Sequence, residues 1–230
     1  GYEEEHGVSK KDIDDYYRGI FSIYEFNNTK PVSIKERRKI RARLKKIARS
    51  ARGRASGNSA AEVVDERDKL VEVLAFCFMP NHIHLLLNQI KENGITKFMS
   101  KVGTGYGGYF NRKCNRKGHV FQNRFQSIHI KNEEQLKTIF VYIHTNPIAL
   151  IEPKWKENGI ENPDKVTGFL ESYRWSSYLD CIGKKNFLSV TKREFLLKIM
   201  KGEEGSRNFI ENWVKYKKGF KRFKNIFLES

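Results

Sequence analysis

Val71-Glu72-Val73-Leu74-Ala75-Phe76-Cys77-Phe78-Met79-Pro80-Asn81-His82-Ile83-His84-Leu85-Leu86-Leu87 is the stretch whose reading decides the fold. Residues 71–78 form a near-continuous apolar run with β-branched members, short enough for a buried strand. Met79-Pro80-Asn81 reads as a turn and residues 82–87 as a second strand, so the two form a hairpin. On a strand, side chains at i and i+2 share a face. His82 and His84 therefore project together beside the turn, with Ile83 and Leu85 on the opposite face. By themselves the two residues admit two readings: a pair of imidazoles for a divalent metal, or two half-buried histidines bonded to backbone.

Working outward, residues 12–26 read as a helix. Ile13, Tyr16, Tyr17, Ile20, Ile23 and Tyr24 recur at helical spacing, and Asp12, Asp14 and Asp15 occupy the first turn, where the helix dipole favours acids. Residues 95–112 read as a second helix despite their glycines, and residues 115–118 as a turn. Residues 119–130 read as a strand, bent near Asn123-Arg124. Residues 132–146 form the best-defined helix: Asn132 is an N-cap, Gln135 completes a capping-box-like pattern, and Pro147 stops it. The order of elements is most of a βαββαβ unit without its opening strand. The expected class is α+β, a ferredoxin-like antiparallel sheet with helices on one face, plus a mostly helical C-terminal extension. The chain divides into an N-terminal helical segment of the catalytic domain (1–34), a basic insertion and linker (35–69), a core (70–150) and the extension with a basic-aromatic tail (151–230). No internal repeat is visible.

Composition narrows the function classes. The 230 residues carry 44 Lys and Arg against 27 Asp and Glu, a formal charge of +17, which favours a polyanionic partner, above all nucleic acid. No apolar run approaches the roughly 20 residues of a bilayer span, so no membrane partner is expected. The first residues, Gly1-Tyr2-Glu3-Glu4-Glu5, are acidic where a secretory leader would be basic and then apolar. Cys77, Cys114 and Cys181 are scattered and odd in number, which fits a reducing cytoplasm better than a disulfide framework or a zinc knuckle. Gly103-Thr104-Gly105-Tyr106-Gly107-Gly108 fits G-x-G-x-x-G, but it lies in a helical pattern. Close helix packing is the better reading, and no nucleotide cofactor is expected.

Basicity is concentrated. Residues 35–54 hold 11 positive side chains against one acid, among them Arg37, Arg38, Arg41 and Lys45. The tail holds Lys217, Lys218, Lys221 and Arg222. Both segments are expected to meet phosphate backbone without reading sequence. So is the turn with Arg112, Lys113, Arg116 and Lys117, together with Arg124. Tyr106, Tyr109 and Phe110 beside that turn could stack on bases, although Tyr106 and Phe110 suit a core better.

Tyr142 sits at the edge of the apolar stripe of its helix, and Asn146 lies one turn on along the same edge. Alone, these are an amphipathic tyrosine and a helix-capping asparagine. Combined with the hairpin, they carry a resemblance. Pro80-Asn81-His82-Ile83-His84, then Gly118-His119-Val120-Phe121-Gln122-Asn123-Arg124-Phe125, then Tyr142-Ile143-His144-Thr145-Asn146-Pro147 resembles the single-tyrosine HUH transposases, particularly the REP-associated tyrosine transposase branch. The likeness spans roughly residues 12–150, with a weaker echo at Tyr173-Arg174-Trp175-Ser176-Ser177-Tyr178.

The resemblance implies a ferredoxin-like nuclease in which His82, His84 and Asn146 hold Mg²⁺ or Mn²⁺ and Tyr142 is the nucleophile. It implies single-stranded, hairpin-forming DNA as substrate and cleavage through a 5′-phosphotyrosine. It also implies a monomer or homodimer in the nucleoid of a bacterial or archaeal cell. His144 and Lys131 stand as helpers for the phenol, with nothing in the sequence to choose between them. The rival reading is a structured-nucleic-acid-binding protein of the same fold that has lost catalysis, because family members usually open with a strand that residues 1–8 do not supply.

Overall fold

A computed structural model of the chain describes residues 10–33, 39, 42, 65, 67–121 and 124–215. The first helix, α1 (Lys10–Glu25), leads to a hairpin of β1 (Val71–Phe78) and β2 (Ile83–Gln89). Then come α2 (Gly94–Lys113) and α3 (Glu133–Thr145), which runs into a 3₁₀ segment, Asn146–Leu150. Five further helices follow: α4 (Trp155–Asn158), α5 (Pro163–Leu170), α6 (Tyr178–Cys181), α7 (Glu194–Ile199) and α8 (Gly202–Lys215). Among the described residues no helix is long and apolar enough to cross a membrane.

The hairpin forms where the apolar run predicts it. Met79 N–H donates to the carbonyl of His82 at 2.8 Å, closing the strands over Pro80-Asn81. His82 thus belongs to the turn, and the ladder proper begins at the Phe78–Ile83 pair. Between Val73 and Ala75 the register slips by one residue. Such a slip exchanges the faces of every later side chain. Val71, Val73 and Phe76 accordingly enter one apolar cluster with Ile20, Ile23 and Phe98, while Leu74, Ala75 and Cys77 enter the other with Leu86 and Phe140. Both faces of β1 are therefore buried, one under α1 and α2, the other under α3 and the C-terminal helices.

The outer edge of β1 is closed by the segment that echoes the family pattern most weakly. Phe78 N–H donates to the Trp175 carbonyl at 2.9 Å and Ser177 N–H to the Phe76 carbonyl at 3.0 Å. The Tyr173 hydroxyl donates to the Phe78 carbonyl at 2.7 Å, and Trp175 stacks on Tyr16 with ring centroids 4.7 Å apart. One apolar cluster consequently holds Phe140 and Ile143 of α3 together with Trp155, Leu170, Leu196, Ile210 and Val214 of the extension. At the other end of β1, buried Asn27 accepts from Leu70 N–H at 3.0 Å and Val71 N–H at 3.1 Å and donates to the Val71 carbonyl at 2.8 Å. That fastens the end of α1 to the start of the strand.

The α+β class holds, but the four-stranded ferredoxin-like sheet does not appear among the described residues, whose sheet is the two-stranded hairpin. The strand expected over residues 119–130 is without regular structure in its described part, and residues 124–129 are exposed. Alternating polar and apolar residues become a strand only where a neighbouring ladder satisfies their backbone groups. The helical predictions fare better. Asn132 caps α3, accepting from Gln135 N–H at 2.8 Å, while Gln135 accepts from Lys131 N–H at 2.8 Å.

The glycine-rich stretch of α2 serves packing. A methyl group on Gly105 would overlap the ring of buried Phe26, so glycine here lets α1 and α2 approach. A methyl on Gly108 would meet only Arg112 Nη1, at 3.6 Å. Gly105→Ala should therefore destabilise by about 1–3 kcal/mol through overpacking. Gly108→Ala should stabilise by up to about 1 kcal/mol through helix propensity. Thermal or urea unfolding of the two variants checks the contrast; equal shifts of the same sign would show that the close approach is not what Gly105 provides.

Candidate active site

The hairpin turn, the first residue pairs of β2 and the C-terminal end of α3 meet at one place. Cross-strand pairing sets His84 opposite Cys77, on the face covered by α3. Ring centroids of His84 and Tyr142 are 5.2 Å apart at 82°, edge to face. Those of His82 and His84 are 4.7 Å apart at 87°. Asn146 is buried at the end of α3, where its Nδ2 donates to the Tyr142 carbonyl at 2.7 Å. It also makes hydrogen-bonding contact with the side chains of both His84 and Tyr142. His82, His84, Tyr142 and Asn146 are thus brought together.

The two imidazoles converge. Their Nε2 atoms are 3.0 Å apart, and His82 Nδ1 lies 2.6 Å from Asn81 Oδ1. A carboxamide oxygen only accepts, so Nδ1 of His82 carries the proton and its Nε2 presents a lone pair. Asn81, which the sequence places in the turn and in the motif without a role of its own, is therefore the residue that sets the His82 tautomer. Two donors about 2.1 Å from one cation and at right angles to each other are about 3.0 Å apart. The pair fits a divalent ion by this measure, with the Asn146 carboxamide adjacent. The donor set is neutral: among the described residues no group of three or more His, Cys, Asp and Glu could hold a metal.

Electrostatics keep both imidazoles in the ligand form. Burial, then His82 and then the ammonium of Lys156 hold His84 down to about 4, against a smaller opposing effect of Asn146. Burial and Lys156 lower His82 as well. The Tyr142 phenol is pushed above its ordinary value by burial, and the Asn146 contact partly offsets this. A phenol in this state needs a neighbouring positive charge before it can act as a nucleophile at neutral pH.

Neither expected helper stands at the phenol. His144 is fully buried on the far side of α3, with Nε2 2.9 Å from Ser177 Oγ and its ring packed on Phe140 and Tyr178. Burial holds it down to about 3, and it links α3 to β1, because Ser177 Oγ also accepts Phe76 N–H at 2.9 Å. Lys131 precedes the N-cap of α3, about 16 Å from Tyr142 at 1.5 Å per residue. What stands over the tyrosine ring instead is Lys156 of α4, with Nζ 5.6 Å from the centroid.

The basic residues divide. Lys113 pairs with Asp15, which also accepts from the Tyr109 hydroxyl at 3.1 Å, so Lys113 ties α2 to α1. Arg116 donates to the His119 carbonyl at 3.3 Å and lies 5.9 Å from the Phe110 centroid. Arg112, Arg116, Lys117 and Arg124 are exposed. Tyr106 and Phe110 are half-buried and stack on each other, and Phe121 closes over Tyr106 at 6.0 Å. Arg37, Arg38, Arg41 and Lys45, and likewise Lys217, Lys218, Lys221 and Arg222, lie outside the described residues.

Residues 35–146 match the family model described as "Transposase IS200 like". No curated protein and no solved structure matches the chain. The match begins in the basic segment and ends at Asn146, so it contains the hairpin histidines and the whole of α3. It supports the transposase family for the segment in which this site is built.

Proposed function

We propose that this chain is a transposase of the REP-associated tyrosine branch, a metal-dependent endonuclease and strand-transferase for single-stranded DNA with hairpin-forming ends. The observation that carries the reading is Tyr142 held edge to face against His84, beside a histidine pair whose Nε2 atoms converge to 3.0 Å. The family match over the same residues supports it.

In this reading His82, His84 and Asn146 hold Mg²⁺ or Mn²⁺, which supplies charge neutralisation at the phosphate. The Tyr142 oxygen attacks phosphorus as the phosphorus–O3′ bond breaks. The phenol proton is lost to solvent and the departing 3′ oxygen takes one up. The products are a 5′-phosphotyrosine and a free 3′-OH. One phosphate ester replaces another, so a 3′-OH from a second end can reverse the step and join strands without ATP. The reading takes the protein as a monomer or a homodimer. Arg112, Arg116, Lys117 and Arg124, with the basic segments at 35–54 and in the tail, bind the backbone. The fuller ferredoxin-like sheet belongs to this reading.

One observation favours a second reading. The described sheet has two strands, so the protein could bind structured nucleic acid without cutting it. The two part on one experiment. The chain with Mn²⁺ and a 3′-labelled hairpin oligonucleotide should yield a covalent protein–DNA adduct, abolished by EDTA and by Tyr142→Phe. Salt-sensitive binding with no adduct under any metal would select the binding protein, and an adduct surviving Tyr142→Phe would remove Tyr142 as nucleophile.

The Asn81 contact gives a separate prediction. Residues that orient a metal-bound histidine typically account for about 10- to 100-fold in metal affinity. Asn81→Ala should weaken Mn²⁺ binding by that order in isothermal titration calorimetry while leaving thermal stability unchanged, since Asn81 is exposed. Unchanged affinity would mean that His82 does not take its orientation from Asn81.

A further inference from the structure

A charge that stands over the tyrosine ring comes from beyond the matched segment. Lys156 is on α4, the short helix after the 3₁₀ segment. Its neighbour Trp155 is buried, packs edge to face on Trp213 of α8 at 5.6 Å, and donates its backbone N–H to the Glu152 carbonyl at 3.1 Å. That anchor fixes the backbone from which Lys156 reaches out, with Nζ 5.6 Å from the Tyr142 centroid and 5.7 Å from the Trp155 centroid.

Among the described residues nothing neutralises this ammonium. Lys156 makes no ion pair among the described residues. Glu152, four residues earlier, instead accepts the backbone N–H groups of Glu161 at 3.0 Å and Asn162 at 3.2 Å. His82, His84, Tyr142 and Asn146 bring no negative charge, and the ammonium is felt at both imidazoles. An aromatic face attracts a cation without cancelling it. The described site therefore holds a positioned positive charge beside a phenol with no acid of the described residues paired to it, an arrangement suited to an anion placed against both.

We propose that Lys156 is a catalytic residue whose ammonium contacts a non-bridging oxygen of the scissile phosphate next to Tyr142; this rests on the nuclease reading above. Negative charge on the non-bridging oxygens rises as the tyrosine oxygen bonds to phosphorus and the O3′ bond breaks. A fixed ammonium stabilises that charge more than it stabilises bound DNA. Lys156 stays protonated throughout and transfers no proton.

The test uses the full chain, Mn²⁺, and a hairpin oligonucleotide whose cleaved phosphate has been mapped with the unaltered protein. The mapped phosphate is supplied either as the native diester or as a methylphosphonate, in which a methyl group replaces one non-bridging oxygen and removes the charge. On the native diester, Lys156→Gln should slow single-turnover adduct formation at saturating DNA by about 100-fold, the scale of losing one transition-state donor. DNA affinity should stay within about threefold, and Lys156→Arg should recover most of the rate. On the methylphosphonate, Lys156→Gln and the unaltered protein should react at similar rates, because the charge that Lys156 meets is gone. An equal penalty on both substrates, or a loss confined to affinity, would overturn the contact with phosphate while leaving the nuclease reading intact. No adduct from the unaltered protein on the native diester would overturn both.

Discussion

The one-residue slip between Val73 and Ala75 is the constraint on which the rest of the structure depends. β1 is buried on both faces, so each of its side chains must belong to one of two cores. Before the slip, odd-numbered residues face α1 and α2; after it, Phe76 takes that side and Cys77 turns to α3. Cys77 pairs with His84 across the ladder, so the slip helps to align His84 with the face where Tyr142 arrives. A change of parity anywhere in this strand would exchange a polar histidine for Ile83 or Leu85 at the site and bury the imidazole in the opposite core.

The other side of β1 explains why the C-terminal helices matter to the site. Trp175 to Ser177 closes the outer edge of the strand, and Ser177 links Phe76 to His144 through one hydroxyl. The buried side of α3 is thereby fixed to the hairpin, and its Tyr142 edge is held at the opening. The same extension carries Trp155, whose burial delivers Lys156. Core packing and the charge over Tyr142 thus use adjacent residues of one short helix, Trp155 buried and Lys156 exposed.

Much of this was legible in the sequence. The apolar run, the Pro-Asn turn and the Asn132 cap are local signals, and the hairpin and α3 follow from them with small shifts at their ends. His82, His84, Tyr142 and Asn146 were legible as a constellation because their order and spacing resemble one family, although each residue alone suits a structural role. Residues 119–130 misled because alternation states which face is apolar without stating whether a neighbouring strand exists to pair with it. His144 misled in the opposite way. It sits two residues from Tyr142 in sequence, yet on a helix that separation turns it through about 200°, away from the site.

The sequence by itself determined the local elements, the turn that presents two imidazoles together, and the types of residue available for chemistry. These depend on interactions between near neighbours, which composition and spacing record. Only the tertiary structure decided which side chains meet: Asn81 holding the His82 tautomer, Lys113 paired with Asp15, and Lys156 standing over Tyr142. Each of these depends on where two separate elements come to rest, and that is set by the burial of β1 and Trp155, which no local pattern around the tyrosine encodes.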